Sequence, residues 1–585
     1  MILRTGGARD AWTGLAIVGL DWLLIVGLVC VVNLSIGPAH HHLVFVTDVF
    51  AVNQDAIVAL GMALMLALIA APTFRFAPGV AARAAAERFG GRIVILAAVT
   101  VAIVAFAGWW WVFQAHALSG DEFWAAFDAD IFQHGRLMAP IPSAWQPYAH
   151  ALQPAWGLET PDHAWWASTY LPVNAALRAA FGALSSQALA GPAWAALSII
   201  LVWDLGRRLW PDRRDAALVA AILLASSSQL IFAAMTPYAM PAHLAFNLAW
   251  LCLFLRKGWA AQAGAILVAF LATGLHQWIF NPLFAAPFVI QLWAARRWRL
   301  ALTHTVAYAL ICAFWIAWPG LLFLAKGYPF FALPRGAAAA AVTGAFNPLS
   351  VGLMAGNLLR LTTWQNLLTL PLALWGFGLA ARDRSSPMFP MAAGVALILV
   401  FLLLITPYQA QGWGYRYLHG YLGSLCLLAT AAWVRLTADD RSLRRGWAAL
   451  ALACAVSVGI CLPLRAWQAR TYAAPSVRNA SVIARAPADV VIVDVDSLWF
   501  GVDLVRNDPF LSNRPKVMRL DALAPAQIQD LCAHHRVVLF AGADEPLTNV
   551  AFHSAREHAR RSVLLALAAA PPCAPEVTVG PRRSP

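Results

Sequence analysis

Long apolar stretches recur along this chain, separated by short clusters of arginine. A helix needs roughly 20 apolar residues to cross the hydrocarbon of a bilayer. Stretches close to that length occupy 15–34, 56–71, 93–113, 190–205, 216–235, 239–255, 260–275, 278–293, 301–324, 364–381, 391–405, 417–434 and 447–461. A chain built this way reads as an all-α polytopic membrane protein with about 13 transmembrane helices. Only 12% of its residues are charged, against roughly 25% in an ordinary soluble domain. The apolar run after Arg4 and Arg9 is long and lacks a small-residue cleavage site, so it reads as the first span rather than a signal peptide.

The basic residues assign sides. Arg75, Arg83, Arg88 and Arg92 form one cluster, and Arg207, Arg208, Arg213 and Arg214 the next. Arg256-Lys257, Arg296/Arg297/Arg299, Arg382/Arg384 and Arg435/Arg441/Arg444/Arg445 follow, each two crossings from the last. All fall on one face, which the positive-inside rule makes cytoplasmic. The net charge of +13 is thereby a topology signal and not a nucleic-acid footprint. Residues 171–184 are apolar but carry Arg178 in mid-run. They read as an amphipathic helix on the outer interface. The expected arrangement is a bacterial inner-membrane protein with a cytoplasmic N-terminus. Residues 1–92 hold two helices and a cytoplasmic loop. Residues 93–464 form a transmembrane core with a first outer loop, 114–189. Residues 465–585 form a small extracytoplasmic domain with a disordered tail.

In that last segment, 490–493 and 537–540 read as short buried strands, with a helix over 525–535 between them, a β–α–β-like pattern. Six of eight cysteines sit in apolar stretches. Cys532 and Cys573 lie in the polar tail and are free to pair if it is extracytoplasmic.

The candidate chemistry gathers at the outer boundary. Asp121-Glu122 follows the 93–113 span and opens a loop rich in acids and aromatics. One carboxylate placed there can take a proton from an acceptor as it attacks a lipid-borne sugar; the alternative is a solvated pair at a helix end. Trp124, Phe127, Phe132, Trp145, Tyr148, Trp156, Trp165, Trp166 and Tyr170 stud the loop, a pattern suited to an interface-lying segment. Asp128, Asp130 and His134 either line the same site or form the solvent side of an amphipathic helix, and the second reading is preferred. Arg416 lies at an outer helix end, against the positive-inside trend; it either binds a phosphate bidentately or snorkels to lipid headgroups. His419, three residues on, is a second phosphate donor or an interfacial histidine. Lys326 and Arg335, in the loop after Leu324, hold phosphate or anchor the interface. His276, Tyr238 and His243 sit at or near outer turns, where an intramembrane histidine is a default site candidate or is satisfied by a neighbouring helix. Asp204 has Arg207 and Arg208 one turn away, while Asp21 and Asp55 call for partners inside the bundle. The tract His40-His41-His42 is a poor metal site, because adjacent histidines diverge, and no metal or other cofactor is expected.

The order of these parts resembles the GT-C superfamily of integral-membrane glycosyltransferases, in the branch of protein O-mannosyltransferases and the lipid A aminoarabinose transferase. A helix (93–113) leads to Asp121-Glu122 and a long loop, then Tyr170-Leu171-Pro172 opens the interfacial helix. A span ends in Asp-Leu-Gly-Arg-Arg-Leu (204–209), the chain returns to Thr236-Pro237-Tyr238, a compact turn bears His276, and Arg416-Tyr417-Leu418 comes later. The two helices before residue 93 and the C-terminal segment depart from the simplest layout of that family. The resemblance implies Asp121 as base with Glu122 beside it, and Arg416, Lys326, Arg335 and His419 on a donor phosphate. Asp128, Tyr170, Tyr238 and His276 line the substrate. The implied partners are a polyprenyl-phosphate-linked sugar and the lipid bilayer. The implied activity is sugar transfer to a glycan, lipid or protein. A transporter or flippase of lipid-linked sugars, or a non-catalytic envelope-assembly subunit, are the rival readings.

Overall fold

The computed structural model describes residues 6–35, 50, 54–70, 79–330, 348–405, 409, 411–498, 500–542, 555–570, 573 and 578–579. Arg335 and the tract His40–His42 lie outside these residues, and the side chain of Asp21 is also outside what is described. The chain divides into two compact units. One comprises Met1–Gly108, Leu189–Ile316 and Leu333–Trp467; the other comprises Trp109–Ala188, Ala317–Ala332 and Gln468–Pro585.

The first unit is helical. Among the described residues of the whole chain, six helices are long and apolar enough to cross a membrane, or seven if one bent pair is a single span. The remaining apolar helices, such as Met240–Phe254, Trp259–Thr273 and Phe280–Ala294, are shorter. The chain is thus a polytopic, mostly helical membrane protein, and the figure of thirteen crossings stays an expectation. The bent pair is Arg214–Ala225 and Ser228–Ala234, at 56°. Its break has a local cause. Ser226 Oγ bonds back to the carbonyl of Ile222 at 2.7 Å, a contact that bends helices. Ser227 then caps a new helix by accepting from the Leu230 amide.

Two polar features of this unit bear on its stability. Arg208 pairs with Asp204 at 2.5 Å, one turn apart as the spacing requires. Asp55 finds its partner 410 residues away: Arg465 Nη2 donates to it at 2.5 Å with both side chains fully buried. Thr363 Oγ1 and Trp364 Nε1 donate to the same carboxylate oxygen at 2.9 and 3.2 Å. The apolar runs mark no helix between residues 324 and 364, yet Pro348–Thr363 is one. Polar positions interrupt it (Ser350, Asn357, Arg360), and these are buried, so hydropathy alone does not mark it as a span. The last expected span, ending at 461, runs on as one helical stretch, Asp440–Ala484, through a π turn at Ser457–Cys461. Its second half is polar, which is why an apolar window stops short of it.

The second unit carries a four-stranded sheet in the order Lys516–Arg519, Val490–Val493, Val537–Ala541, Thr578–Val579, all parallel. The two strands and the helix Pro525–His534 expected from sequence are present. Cys532 and Cys573 form a disulfide across this region. The first-loop segment belongs to the same unit. Its helix Gly120–Gln133 packs on the helix Val173–Leu184, and Trp124, Phe127, Tyr148 and Trp166 are buried in one core with Val490, Ile492 and Leu539 of the sheet. Trp124 donates to Ala155 O at 2.7 Å and Trp166 to Pro509 O at 2.8 Å. Backbone joins them too, with Arg519 N donating to Ala151 O at 2.8 Å. The interface-belt reading of these four aromatics is corrected. A large ring with one polar atom suits a core as well as a bilayer surface, provided that atom finds a partner. Trp156, by contrast, is exposed.

Candidate functional site

In the second unit, the Asp121-Glu122 pair opens the helix Gly120–Gln133, and its two members do different work. Ser119 is the N-cap. Its hydroxyl accepts from the Glu122 amide, and the Glu122 carboxylate accepts from the Ser119 amide at 2.9 Å and from Leu118 N. This is the Ser-x-x-Glu capping box, legible in the sequence as Ser119-Gly120-Asp121-Glu122. Glu122 is buried, with Arg178 and Arg506 within electrostatic reach. Its geometry is that of a structural cap. Asp121 is only partly buried, and the Tyr170 hydroxyl donates to it. The Tyr-x-Pro element therefore does two things: it leads into the helix Val173–Leu184, with Pro172 as N-cap, and it holds the carboxylate of Asp121.

Asp128 is not solvent-facing. It is buried and accepts from Ser168 N at 3.1 Å and Ser168 Oγ at 2.5 Å, tying its helix to the strand Trp165–Ser168. The preferred reading of a solvated helix face fails for this residue because the helix has a second packed side. It holds for His134, which is exposed. Asp130 is half-buried and accepts from Gln187 at 2.7 Å. Arg178, expected at a lipid interface, is buried against the electrostatic reach of Glu122 and Asp130. His116 sits between Ser476 Oγ (3.0 Å from Nε2) and Arg506 Nη1 (3.4 Å from Nδ1). A guanidinium only donates, so Nδ1 accepts and Nε2 carries the proton toward Ser476. Burial and the Arg506 charge push this histidine down to about 3, and it stays neutral.

Burial pushes Glu122 up from 4.5 to about 7, against the amides that favour its charged form. Burial also pushes Asp128 up from 3.8 to about 7, against Ser168. Both groups bind a proton more tightly folded than unfolded. Their contribution to stability is full below the ordinary carboxylate range and is lost as pH rises toward about 7. The melting temperature of wild type in nanodiscs should therefore fall relative to that of Asp128→Asn, which keeps an acceptor for Ser168, between about pH 4 and about pH 7. A difference between the two proteins that does not change over this range contradicts the assignment.

Lys326 also belongs to the second unit, where its ammonium lies 3.4 Å from the centre of the Trp165 ring. Next to it, Tyr328 donates to Asp162 at 2.6 Å. The Lys326–Trp165 contact is a cation–π anchor on the loop segment.

The first unit holds the other candidate group. Arg416 opens a 3-10 helix, Arg416–Tyr421, and is buried. A glutamine clamp sets the turn before it. Gln409 Oε1 accepts from Arg416 N at 3.0 Å, Gln409 Nε2 donates to Gly414 O at 2.9 Å, and Gln229 Nε2 donates to Tyr415 O at 2.8 Å. Gly414 has φ +63°, and a Cβ there would run into the Gln229 side chain; only glycine fits. The guanidinium donates to the hydroxyls of Tyr238 at 3.2 Å and Tyr417 at 3.1 Å and lies over both rings. Arg416 faces a pocket whose other walls include His243, Asn247, Phe280, Tyr417 and Tyr421. His243 is buried, has no hydrogen-bond partner on either ring nitrogen, and is within electrostatic reach of His276 and His419. Its expected satisfaction by a neighbouring helix is not found among the described residues. His419 is buried as well, likewise without a ring-nitrogen partner, and is not among the pocket's walls.

The sequence reading missed Asn247 and Phe280. Asn247 had a signal, being an amide in mid-span. It donates to Gly420 O at 3.0 Å and accepts from Asn281 at 2.9 Å. Phe280 had none, since one more apolar residue in an apolar helix looks like any other.

No family model and no curated protein matches this chain. Among solved structures it is similar to ArnT from Cupriavidus metallidurans bound to undecaprenyl phosphate, at 14% identity and a TM-score of 0.48, over 78% of this chain and 88% of that one. It is also similar to the apo state of the same protein, at 14% identity and a TM-score of 0.46, over 81% of this chain and 89% of that one. These are distant likenesses, and the functional assignment below rests on the residues themselves.

Proposed function

We propose that this chain is a membrane glycosyltransferase that moves a sugar from a polyprenyl-phosphate carrier to an extracytoplasmic acceptor, with Asp121 as general base and Arg416 on the donor phosphate. The observation that carries this reading is the Arg416 pocket. It combines a buried guanidinium, fixed by two phenols and a clamped turn, with walls that include Met240, Phe280 and Tyr421. A phosphate esterified to a prenyl chain has the matching chemistry, an anion joined to an apolar tail. His243 and Asn247 add polar atoms on the same wall. The order of sequence elements shared with GT-C enzymes supports the same reading.

In the proposed reaction an acceptor hydroxyl or amine attacks the anomeric carbon. Its proton passes to the Asp121 carboxylate as the bond from that carbon to the phosphate oxygen breaks. Charge builds on the sugar as an oxocarbenium-like centre and on the departing phosphate. The guanidinium of Arg416 stabilises the second of these without having to reorganise. Tyr238 and Tyr417 keep it aimed.

The test uses purified protein in nanodiscs with a panel of polyprenyl-phosphate sugars. Wild type is expected to release sugar from one of them, and Arg416→Ala to lose roughly a hundredfold or more in turnover, the usual cost of removing one charge-stabilising donor. Equal turnover in Arg416→Ala removes the phosphate role. Movement of the lipid-linked sugar across vesicles without release establishes a flippase in place of a transferase.

A further inference from the structure

The C-terminal sheet carries a cleft that the proposed reaction does not use. In open parallel sheets, ligands bind outside the carboxyl ends of the strands. Here the strand Val490–Val493 lies inside the sheet, between its sequence successors Lys516–Arg519 and Val537–Ala541. Beyond the carboxyl ends of the first two of these strands opens a cleft of about 240 Å³. Its walls include Asp494 and Asp496, which follow one strand, Asp521, which follows the next, and Arg560, Arg561 and Leu564 of the helix Ala555–Ala569.

The charges in these walls are largely matched. Arg561 grips Asp494 through Nε and Nη2 at 2.9 and 2.5 Å. Arg519 holds Asp521 in the same way at 3.0 and 2.5 Å. Arg560 reaches the carbonyl of Leu523 at 3.5 Å. Three carboxylates disfavour an anion, and two guanidinium groups in the same wall disfavour a cation. No cluster of metal-ligating side chains occurs among the described residues. What suits alternating carboxylates and guanidinium groups is a neutral ligand whose groups both donate and accept. A hydroxyl does both, while carboxylates only accept and guanidinium only donates. The buried Leu564 offers an apolar surface for the C–H face of a ring.

We infer that this cleft binds a neutral saccharide, the glycan acceptor of the transfer, an inference that takes its acceptor role from the function proposed above. The cleft belongs to the unit that also holds Asp121. Arg560 is exposed and Asp496 part-exposed, so a ligand's hydroxyls can reach both without unmaking the Arg561–Asp494 grip.

The experiment uses the full chain in nanodiscs. Saturation-transfer NMR titrations with glucose, galactose, mannose and N-acetylglucosamine are run on wild type, Asp496→Asn and Arg560→Gln, with inorganic phosphate and calcium as separate arms. Both substitutions are near-isosteric at accessible positions, and a melting curve for each shows which variant reports on a folded protein. One of the sugars is expected to bind wild type and to bind each folded variant about tenfold more weakly, the loss expected for one charge-assisted hydrogen bond. No sugar binding to wild type, equal binding to both variants, or phosphate or calcium binding that both variants weaken overturns the inference. Donor turnover by wild type is read on the same preparation. Turnover without sugar binding removes the cleft and leaves the transferase. Variant-sensitive sugar binding without turnover keeps the saccharide site and removes the transferase.

Discussion

Asp121→Asn is expected to lower sugar transfer by roughly 10²- to 10⁴-fold, the range that a positioned general base contributes. The amide keeps the size of the side chain and an oxygen to accept from Tyr170, so the folded protein and donor affinity should be retained. The loss should appear in turnover, with KM for the donor little changed. Tyr170→Phe gives the companion result. It leaves the carboxylate in place but removes the hydrogen bond that holds it, and the drop should be smaller, about tenfold, in keeping with the worth of one hydrogen bond to a charged group. Glu122→Gln separates cap from chemistry. Gln also completes a capping box, so this variant should retain near-normal turnover. Full activity in Asp121→Asn would remove it as the base. A collapse of activity in Glu122→Gln equal to that of Asp121→Asn would show that the pair acts as a unit.

The largest stability effect is expected at the Asp55–Arg465 pair. Removing one partner of a fully buried ion pair leaves an uncompensated charge and costs about 3–5 kcal/mol. Here Arg465→Ala would remove the cation from Asp55, whose neutral donors Thr363 and Trp364 remain, and Asp55→Ala would remove the carboxylate from a guanidinium that lies 4.5 Å from the centre of the Trp364 ring. Either variant should melt several degrees below wild type when unfolding is followed by labelling of the buried thiols, among them Cys252 and Cys426. The double change to apolar residues of similar volume should recover much of that loss, because both charges then leave together. Melting unchanged in the single variants would mean that the pair is not closed in the bilayer.

Residue patterns along the chain were informative wherever the physics is local. The apolar runs, the Asp204–Arg208 pair and the strand–helix–strand pattern of the C-terminal segment all depend on neighbours within a few turns. The Ser119–Glu122 capping box is equally local, although the same two acids also fit a catalytic pair. The partner of Asp55, 410 positions away, has no local signature. The helix Pro348–Thr363 has no apolar signature because its polar side chains find partners inside the unit, as Arg360 does at the Gly412 carbonyl, and a hydropathy window cannot tell that from exposure to water.

The first-loop aromatics show the same division most clearly. Their composition admits two environments of similar physical character, a lipid–water interface and a protein core with one hydrogen bond per ring. Trp124 and Trp166 take the second because carbonyls at Ala155 and Pro509 stand ready to accept from their indole N–H groups. Sequence by itself determined that this is a polytopic membrane chain, since hydrophobic length acts through solvent and needs no partner. Only the tertiary structure decided which acid caps a helix, which is held by Tyr170, which arginine faces a pocket, and that the first loop shares a core with the C-terminal sheet. Hydrogen bonds and packing reach across hundreds of residues, and nothing in the order of the chain records their geometry.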